Sequence, residues 1–196
     1  DPELTVGMPR FITAGTGVDA FAHCVEAFSS PHYHPMSQGI ALEGMRLIME
    51  YLPKAYIDGN DIEARAHMMS AAAMGATGFQ KGLGAIHALS HTIGAVHNTH
   101  HGTTNAVCMP AVLQFNKPAI EGVISQAASY LRISGGFDGF CNYVDNLNAS
   151  LNIPMTLTEL GVKNADLDGL TKSALKDPSV VGNPVKMNYD NTRQLF

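Results

Sequence analysis

Apolar side chains recur along most of this chain at the three- and four-residue spacing of amphipathic helices, and the alternation typical of half-buried strands is nearly absent. The pattern predicts helices over about residues 18–28, 36–56, 85–97, 103–115, 118–131, 137–152 and 166–176, with a further helix that begins at Asp61. Thr16 is the expected N-cap of the first helix, and Pro53 is expected to bend or shorten the second. The pattern therefore predicts an all-α fold, a multi-helix bundle that occupies residues 1–196 without an internal linker.

Composition and charge narrow the class of protein. Only 15% of the residues are charged, against roughly a quarter in ordinary globular chains. We therefore expect close packing through small side chains, and we expect the helix with the small-residue run 70–76 to be central. A net charge of −5, with 12 scattered Lys and Arg residues, argues against nucleic-acid binding. No apolar run could span a membrane, and three separated cysteines indicate thiols in a reducing compartment, so we expect a cytoplasmic protein.

Histidine is the anomalous residue type, with nine copies in all and five between His87 and His101. Asp19 and His23 are four residues apart on the first predicted helix, which places both side chains within reach of one metal ion. His87 and His91 repeat that spacing on an apolar helix, where buried imidazoles without partners would be costly. The combined pattern favours a metal site over a set of unrelated histidines.

Spacing leaves the composition of that site partly open. An unbroken helix would separate His87 and His101 by roughly 21 Å, so the chain must reverse at the turn-like segment 98–102 if both bind one ion. The second pair of ligands is either His87 with His101 or His87 with His91. One carboxylate with imidazoles suits Fe(II) or Zn(II) better than Ca or Mg. Glu26, one turn beyond His23, is either a partner of the ligands or a surface carboxylate, and we favour the surface position.

These motifs resemble those of the iron-containing, or group III, alcohol dehydrogenases. The similar segments are residues 1–5, 8–9, 13–23, 82–87, 90–91, 94–95 and 98–102, with Asp177-Pro178 and Asn183-Pro184 in the tail. The resemblance implies four metal ligands, which are Asp19, His23, His87 and His101. It also implies that His91 is a catalytic histidine near the nicotinamide and the substrate. We further expect His101 and Ile12 to contact the cofactor.

The chain departs from the family pattern in three places. His100 stands where relatives commonly have Pro, and His97 stands where Tyr or Phe is more usual, which concerns the polarity of the pocket. The larger departure is that no strand, Gly-rich phosphate loop and helix precede these motifs. The resemblance therefore implies the C-terminal helical domain of a two-domain dehydrogenase, and we expect a piece of a longer polypeptide, truncated near its end, whose α/β nucleotide-binding domain lies outside this chain.

The implied function is the interconversion of an alcohol and an aldehyde or ketone, with NAD or NADP as the hydride carrier and Fe(II) or Zn(II) polarising the substrate oxygen. His91 would pass the hydroxyl proton onward. We expect a homo-oligomer, and little turnover from this chain alone. The alternatives are a helical metal-dependent hydrolase, whose His-Asp or H-E-x-x-H motifs are absent, and a non-catalytic metal-binding module, whose repeated Glu-x-x-His motifs are also absent. Glycerol-dehydrogenase-like and dehydroquinate-synthase-like enzymes are closer competitors, with fewer histidine ligands.

Overall fold

The computed structural model describes all residues, 1–196, and contains eight α-helices, three short 3-10 helices and no β-strand. The α-helices are α1 Arg10–Ser29, α2 Pro35–Ile57, α3 Ile62–Gly78, α4 Ala85–His97, α5 His101–Tyr130, α6 Gly136–Ser150, α7 Leu167–Ala174 and α8 Tyr189–Arg193. The 3-10 helices are η1 Pro2–Thr5, η2 Phe79–Lys81 and η3 Pro178–Gly182. The predicted all-α bundle is confirmed. None of the helices combines the length and apolarity that a membrane span requires.

The central helix is α1, which packs against α2, α3 and α5 and buries 14 of its 20 residues. Small residues allow the close approach: a Cβ on Gly75 of α3 would lie 3.0 Å from the carbonyl oxygen of Ala20. The expectation that α3 is central is wrong. Its small-residue run buries only one side, at Ala71 and Gly75, while Ala72 is exposed. The small side chains of α3 therefore allow one close contact with α1, and the opposite side of α3 is exposed.

The first helix begins earlier than predicted, at Arg10, with Pro9 as its N-cap. Thr16 is not an N-cap, because it lies inside α1 and its hydroxyl donates to the carbonyl of Ile12 at 2.7 Å. Gly15 and Gly17, on either side of Thr16, look like helix breakers in the sequence, but in the structure they allow close packing inside α1. A Cβ on Gly15 would lie 2.6 Å from the ring of His100.

Prolines interrupt the helices less than predicted. The two helices expected over residues 103–115 and 118–131 form the single 30-residue α5, which contains Pro110 and Pro118. Pro53 likewise lies within α2 without ending it. A proline removes one amide donor from a helix without ending it here. Just before Pro118, the buried Asn116 side chain hydrogen-bonds Asn183, so this part of α5 is held by a tertiary contact.

The reversal between α4 and α5 is confirmed. Asn98 adopts a left-handed conformation with φ 53° and ends α4, and the ring of His100 accepts from the amide of Thr103 at 3.3 Å at the start of α5. Gly102 is the point of closest approach, because a Cβ there would collide with the backbone of Gly15. The first turn of α5 therefore lies directly against the middle of α1, and His101 comes to the same place as the α1 side chains.

Candidate metal centre

Three potential ligand side chains converge from α1, α4 and α5. The Oδ1 atom of Asp19 lies 3.3 Å from Nε2 of His101 and 3.7 Å from Nε2 of His87, and one ligand atom from each residue lies within 4.8 Å of the others. Two atoms that share an ion through bonds of about 2 Å lie about 3–4 Å apart, as the two distances from Asp19 do. The structure therefore groups His101 with Asp19 and His87, and His91 lies outside this group.

Asn105 lies at the centre of this group. Its Nδ2 donates to Asp19 Oδ1 at 2.6 Å and lies 3.3 Å from Nε2 of His87 and 3.2 Å from Nε2 of His101. An amide carries only two hydrogens, so it cannot donate to all three side chains at once. The Oδ1 atom of Asn105 is buried without a partner. A carboxylate oxygen, two imidazole nitrogens and an unpaired amide oxygen crowded around one point fit a divalent cation.

Sequence reasoning missed Asn105. Amide side chains seldom signal a metal site in a sequence, but a positional signal was present. Asn105 follows His101 by four residues on α5, and this spacing places two side chains on the same helical face.

His23 lies next to the convergent group without joining it. Its Nδ1 is 2.9 Å from the backbone oxygen of Asp19, and its ring centroid is 4.4 Å from that of His87. Because Nδ1 contacts the backbone of its own helix, Nε2 is the ring atom that could bind a metal. The assignment of His23 as a metal ligand stays a prediction, as do the roles of the three converging residues.

His91 is at the exposed edge of the site, with its side chain 44% accessible. Its ring stacks on that of His101 at 5.2 Å between centroids, and its Nδ1 lies 2.8 Å from Oδ2 of Asp177. Asp177 is the N-cap of η3, so the tail of the chain reaches this edge. Ile12 is half-buried on α1, about two helical turns before Asp19. The catalytic and cofactor roles of His91 and Ile12 also stay predictions.

Burial and hydrogen bonds shift the pKa values of three side chains in the site. Burial raises the pKa of Asp19, but hydrogen bonds from His101 and His87 outweigh that effect and hold the pKa well below its usual value. Burial lowers the pKa of His87, but its hydrogen bonds to Asp19 and Glu26 raise it overall, to about 9. Burial and the neighbouring His87 lower the pKa of His23. Asp19 is therefore held as an anion that attracts a cation.

The expected surface position of Glu26 is wrong. Its side chain is only 6% exposed, because the α1 face that carries it packs on the start of α4. Oε2 lies 2.6 Å from Nδ1 of His87, and Oε1 accepts from the amide of Ile86 at 2.7 Å. Helical periodicity showed which face Glu26 occupies but not what packs against that face.

Comparisons with known proteins point to one family. A family model described as "Fe-containing alcohol dehydrogenase family, C-terminal" matches residues 13–196. The chain is 40% identical to the 4-hydroxybutyrate dehydrogenase of Cupriavidus necator, over 100% of this chain and 53% of the relative. It is 36% identical to the NAD-dependent methanol dehydrogenase of Bacillus methanolicus, over 100% of this chain and 54% of the relative.

The fold is also found among solved structures. The crystal structure of a 1,3-propanediol oxidoreductase superposes on the whole chain with a TM-score of 0.95 and 32% sequence identity, and the match covers 53% of that protein. The chain thus spans about half the length of the relatives that it matches.

Proposed function

The chain belongs to the iron-containing alcohol dehydrogenase family, and from this premise we propose that it is the metal-holding domain of an enzyme that interconverts an alcohol and an aldehyde or ketone. The observation that carries the proposal is the convergence of Asp19, His87 and His101 around a single amide group that cannot donate to all three. The relatives support the reaction class, because they are dehydrogenases of 4-hydroxybutyrate and methanol and an oxidoreductase of 1,3-propanediol.

The proposed ligands of a divalent metal are Asp19, His23, His87 and His101. One carboxylate oxygen and three imidazole nitrogens suit Fe(II) or Zn(II). When bound, such an ion supplies Lewis-acid polarisation of the substrate oxygen. Asn105 orients the carboxylate of Asp19 through its 2.6 Å hydrogen bond.

His91 is the proposed proton carrier. A carboxylate can only accept, so Nδ1 of His91 donates to Asp177 across their 2.8 Å contact, and Nε2 keeps its lone pair. Nε2 then takes the proton of the substrate hydroxyl and releases it to solvent, to which the side chain is 44% exposed. The stacked ring of His101 holds the imidazole of His91 at the edge of the metal site.

The hydride carrier is proposed to be NAD or NADP, and the NAD dependence of the methanol dehydrogenase supports NAD. We propose that an α/β nucleotide-binding domain, equivalent to the unmatched half of the relatives, supplies most of the cofactor contacts. Residues 1–196 would then be the C-terminal helical domain, with Ile12 and His101 facing the cofactor.

Metal analysis and a paired variant test this function. Protein purified without added metal is expected to contain iron or zinc, and the double variant His87→Ala, His101→Ala is expected to lose it. Full metal content in the double variant would show that the ligand set is wrong. In the full-length enzyme, chelation is expected to abolish NAD- or NADP-linked alcohol oxidation and metal addition to restore it. Activity that changes with neither chelation nor metal addition would contradict the proposed chemistry.

A further inference from the structure

The first turn of α4 depends on side chains that are distant in sequence. Its N-cap residue is Gly84, which has no side chain to accept from the amides of the first turn that lack a partner within the helix. The amide of Ala85 donates instead to Oδ1 of Asn183 at 3.0 Å, and the amide of Ile86 donates to Oε1 of Glu26 at 2.7 Å. The helix that carries His87 is therefore anchored by α1 on one side and by the tail on the other.

Gly84 makes this arrangement possible. A Cβ at position 84 would lie 2.8 Å from Oδ1 of Asn183 and 3.2 Å from Oε1 of Glu26. Asn183 is held independently, because it exchanges two hydrogen bonds of 2.8 and 2.9 Å with the buried amide of Asn116. Of the two anchors, only Glu26 also contacts the imidazole of His87.

The second oxygen of Glu26 goes to that imidazole. Oε2 lies 2.6 Å from Nδ1 of His87, and the two side chains are 6% and 1% exposed. Neither Lys nor Arg pairs with Glu26, so His87 and the amide of Ile86 are the partners that offset its burial. Because the carboxylate only accepts, Nδ1 must carry the proton. In the neutral ring that binds a metal, Nε2 then carries the lone pair, and this atom lies 3.7 Å from Oδ1 of Asp19.

We propose that Glu26 is the positioning residue of the metal centre, fixing the imidazole of His87 with its proton on Nδ1 and its Nε2 lone pair directed at the metal position. This inference rests on the metal site of the proposed function. Both carboxylate oxygens are engaged with the first turn of α4, so Glu26 acts through His87 and not as a ligand. One carboxylate thereby sets both the position of the α4 terminus and the tautomer of the ligand that follows it.

Zinc affinity separates this role from simple helix capping. Glu26→Gln keeps the shape of the side chain, but its NH2 group must face either the Nδ1 proton of His87 or the amide of Ile86. We expect zinc to bind about 10–100-fold more weakly, the usual cost of losing a partner of a ligating histidine. The measurement is competition between the protein and a chromophoric chelator, with Zn²⁺ alone as the probe.

Two further variants serve as controls. Asn183→Ala removes the acceptor of Ala85 but leaves the contact between Glu26 and His87, so we expect lower thermal stability and a much smaller change in zinc affinity. Glu121→Gln alters a carboxylate on α5 that is 61% exposed, and we expect zinc binding equal to that of the parent.

NMR of the zinc-loaded parent tests the same contact without any substitution. The inference predicts a proton on Nδ1 of His87, hydrogen-bonded and protected from exchange, with zinc on Nε2. This result decides the matter even if Glu26→Gln fails to fold. Zinc on Nδ1, parental affinity in Glu26→Gln, or equal weakening in Asn183→Ala would each overturn the inference alone. Failure of the parent to bind zinc would instead overturn the proposed metal site and the inference with it.

Discussion

Two charged contacts of nearly equal length lie in very different surroundings. Glu26 and His87 approach to 2.6 Å with side chains 6% and 1% exposed, whereas Glu43 and Arg46 approach to 2.7 Å on α2 with side chains 34% and 41% exposed. Water screens the exposed pair, whose contribution to stability is about 0–1 kcal/mol. Removing one partner of a buried pair leaves an uncompensated charge, at a cost of about 3–5 kcal/mol. Contact distance alone therefore does not identify the important interactions in this protein.

The same contrast holds for the backbone of α5. Gly102, at its first turn, leaves no room for a side chain against α1, whereas a Cβ on Gly122 farther along the same helix would meet nothing within 4 Å. The first turn of α5, beside the convergent group, thus tolerates little change, whereas the outer surface of the same helix tolerates more. Three substitutions, in decreasing order of expected effect, test that division.

The largest effect is expected from Asp19→Asn. The substitution removes the only carboxylate of the convergent group, so zinc affinity should fall by more than the roughly 10–100-fold typical of an outer partner. Chelator competition measures the loss. Asp138→Asn, at a carboxylate 73% exposed on α6, is the matched control and should leave zinc affinity unchanged. If Asp19→Asn bound zinc as tightly as the parent, Asp19 would not be a metal ligand.

An intermediate effect is expected from Gly102→Ala. The new methyl group would collide with the backbone of Gly15 and force α5 away from α1, at a cost of about 1–3 kcal/mol in the free energy of unfolding. The control, Gly122→Ala, should stabilise the protein by about 0.5–1 kcal/mol, because alanine is the better residue in an open helical position. Denaturant unfolding measures both values, and equal effects of the two substitutions would contradict the contrast.

The smallest effect is expected from Arg46→Gln on α2. It breaks the exposed contacts with Glu43 and Glu50 and should lower the free energy of unfolding by less than about 1 kcal/mol. The difference from the parent should shrink at high salt. A loss well above about 1 kcal/mol that salt does not reduce would contradict the expectation of a weak, screened contact at Arg46.

The sequence pattern was sufficient for the fold class and for a metal site that includes Asp19 and His87, while His101 was expected only from the resemblance to the family. Helical spacing places Asp19 on a defined face, and the chain reversal at 98–102 follows from the distance that an unbroken helix would impose. Spacing alone could not choose His101 over His91, since that choice depends on how closely Gly102 approaches α1.

Other features depend on tertiary contacts that a local pattern does not contain. Glu26 looks like a surface carboxylate until α4 packs on it, and Asn105 has no metal-site signature of its own. Thr16 and Pro118 have the local chemistry of helix boundaries, yet packing carries both helices through them. Such residues are misjudged when a local preference is weighed without the neighbours that override it.

A metal held by imidazole nitrogens and the carboxylate of Asp19 has a recognisable X-ray absorption spectrum. For the zinc-loaded protein we expect scattering from three imidazoles, with nitrogen and oxygen neighbours at about 2.0–2.2 Å and no sulfur at about 2.3 Å. A sulfur shell, or a shell of oxygens without imidazole scattering, would show that these residues do not hold the metal.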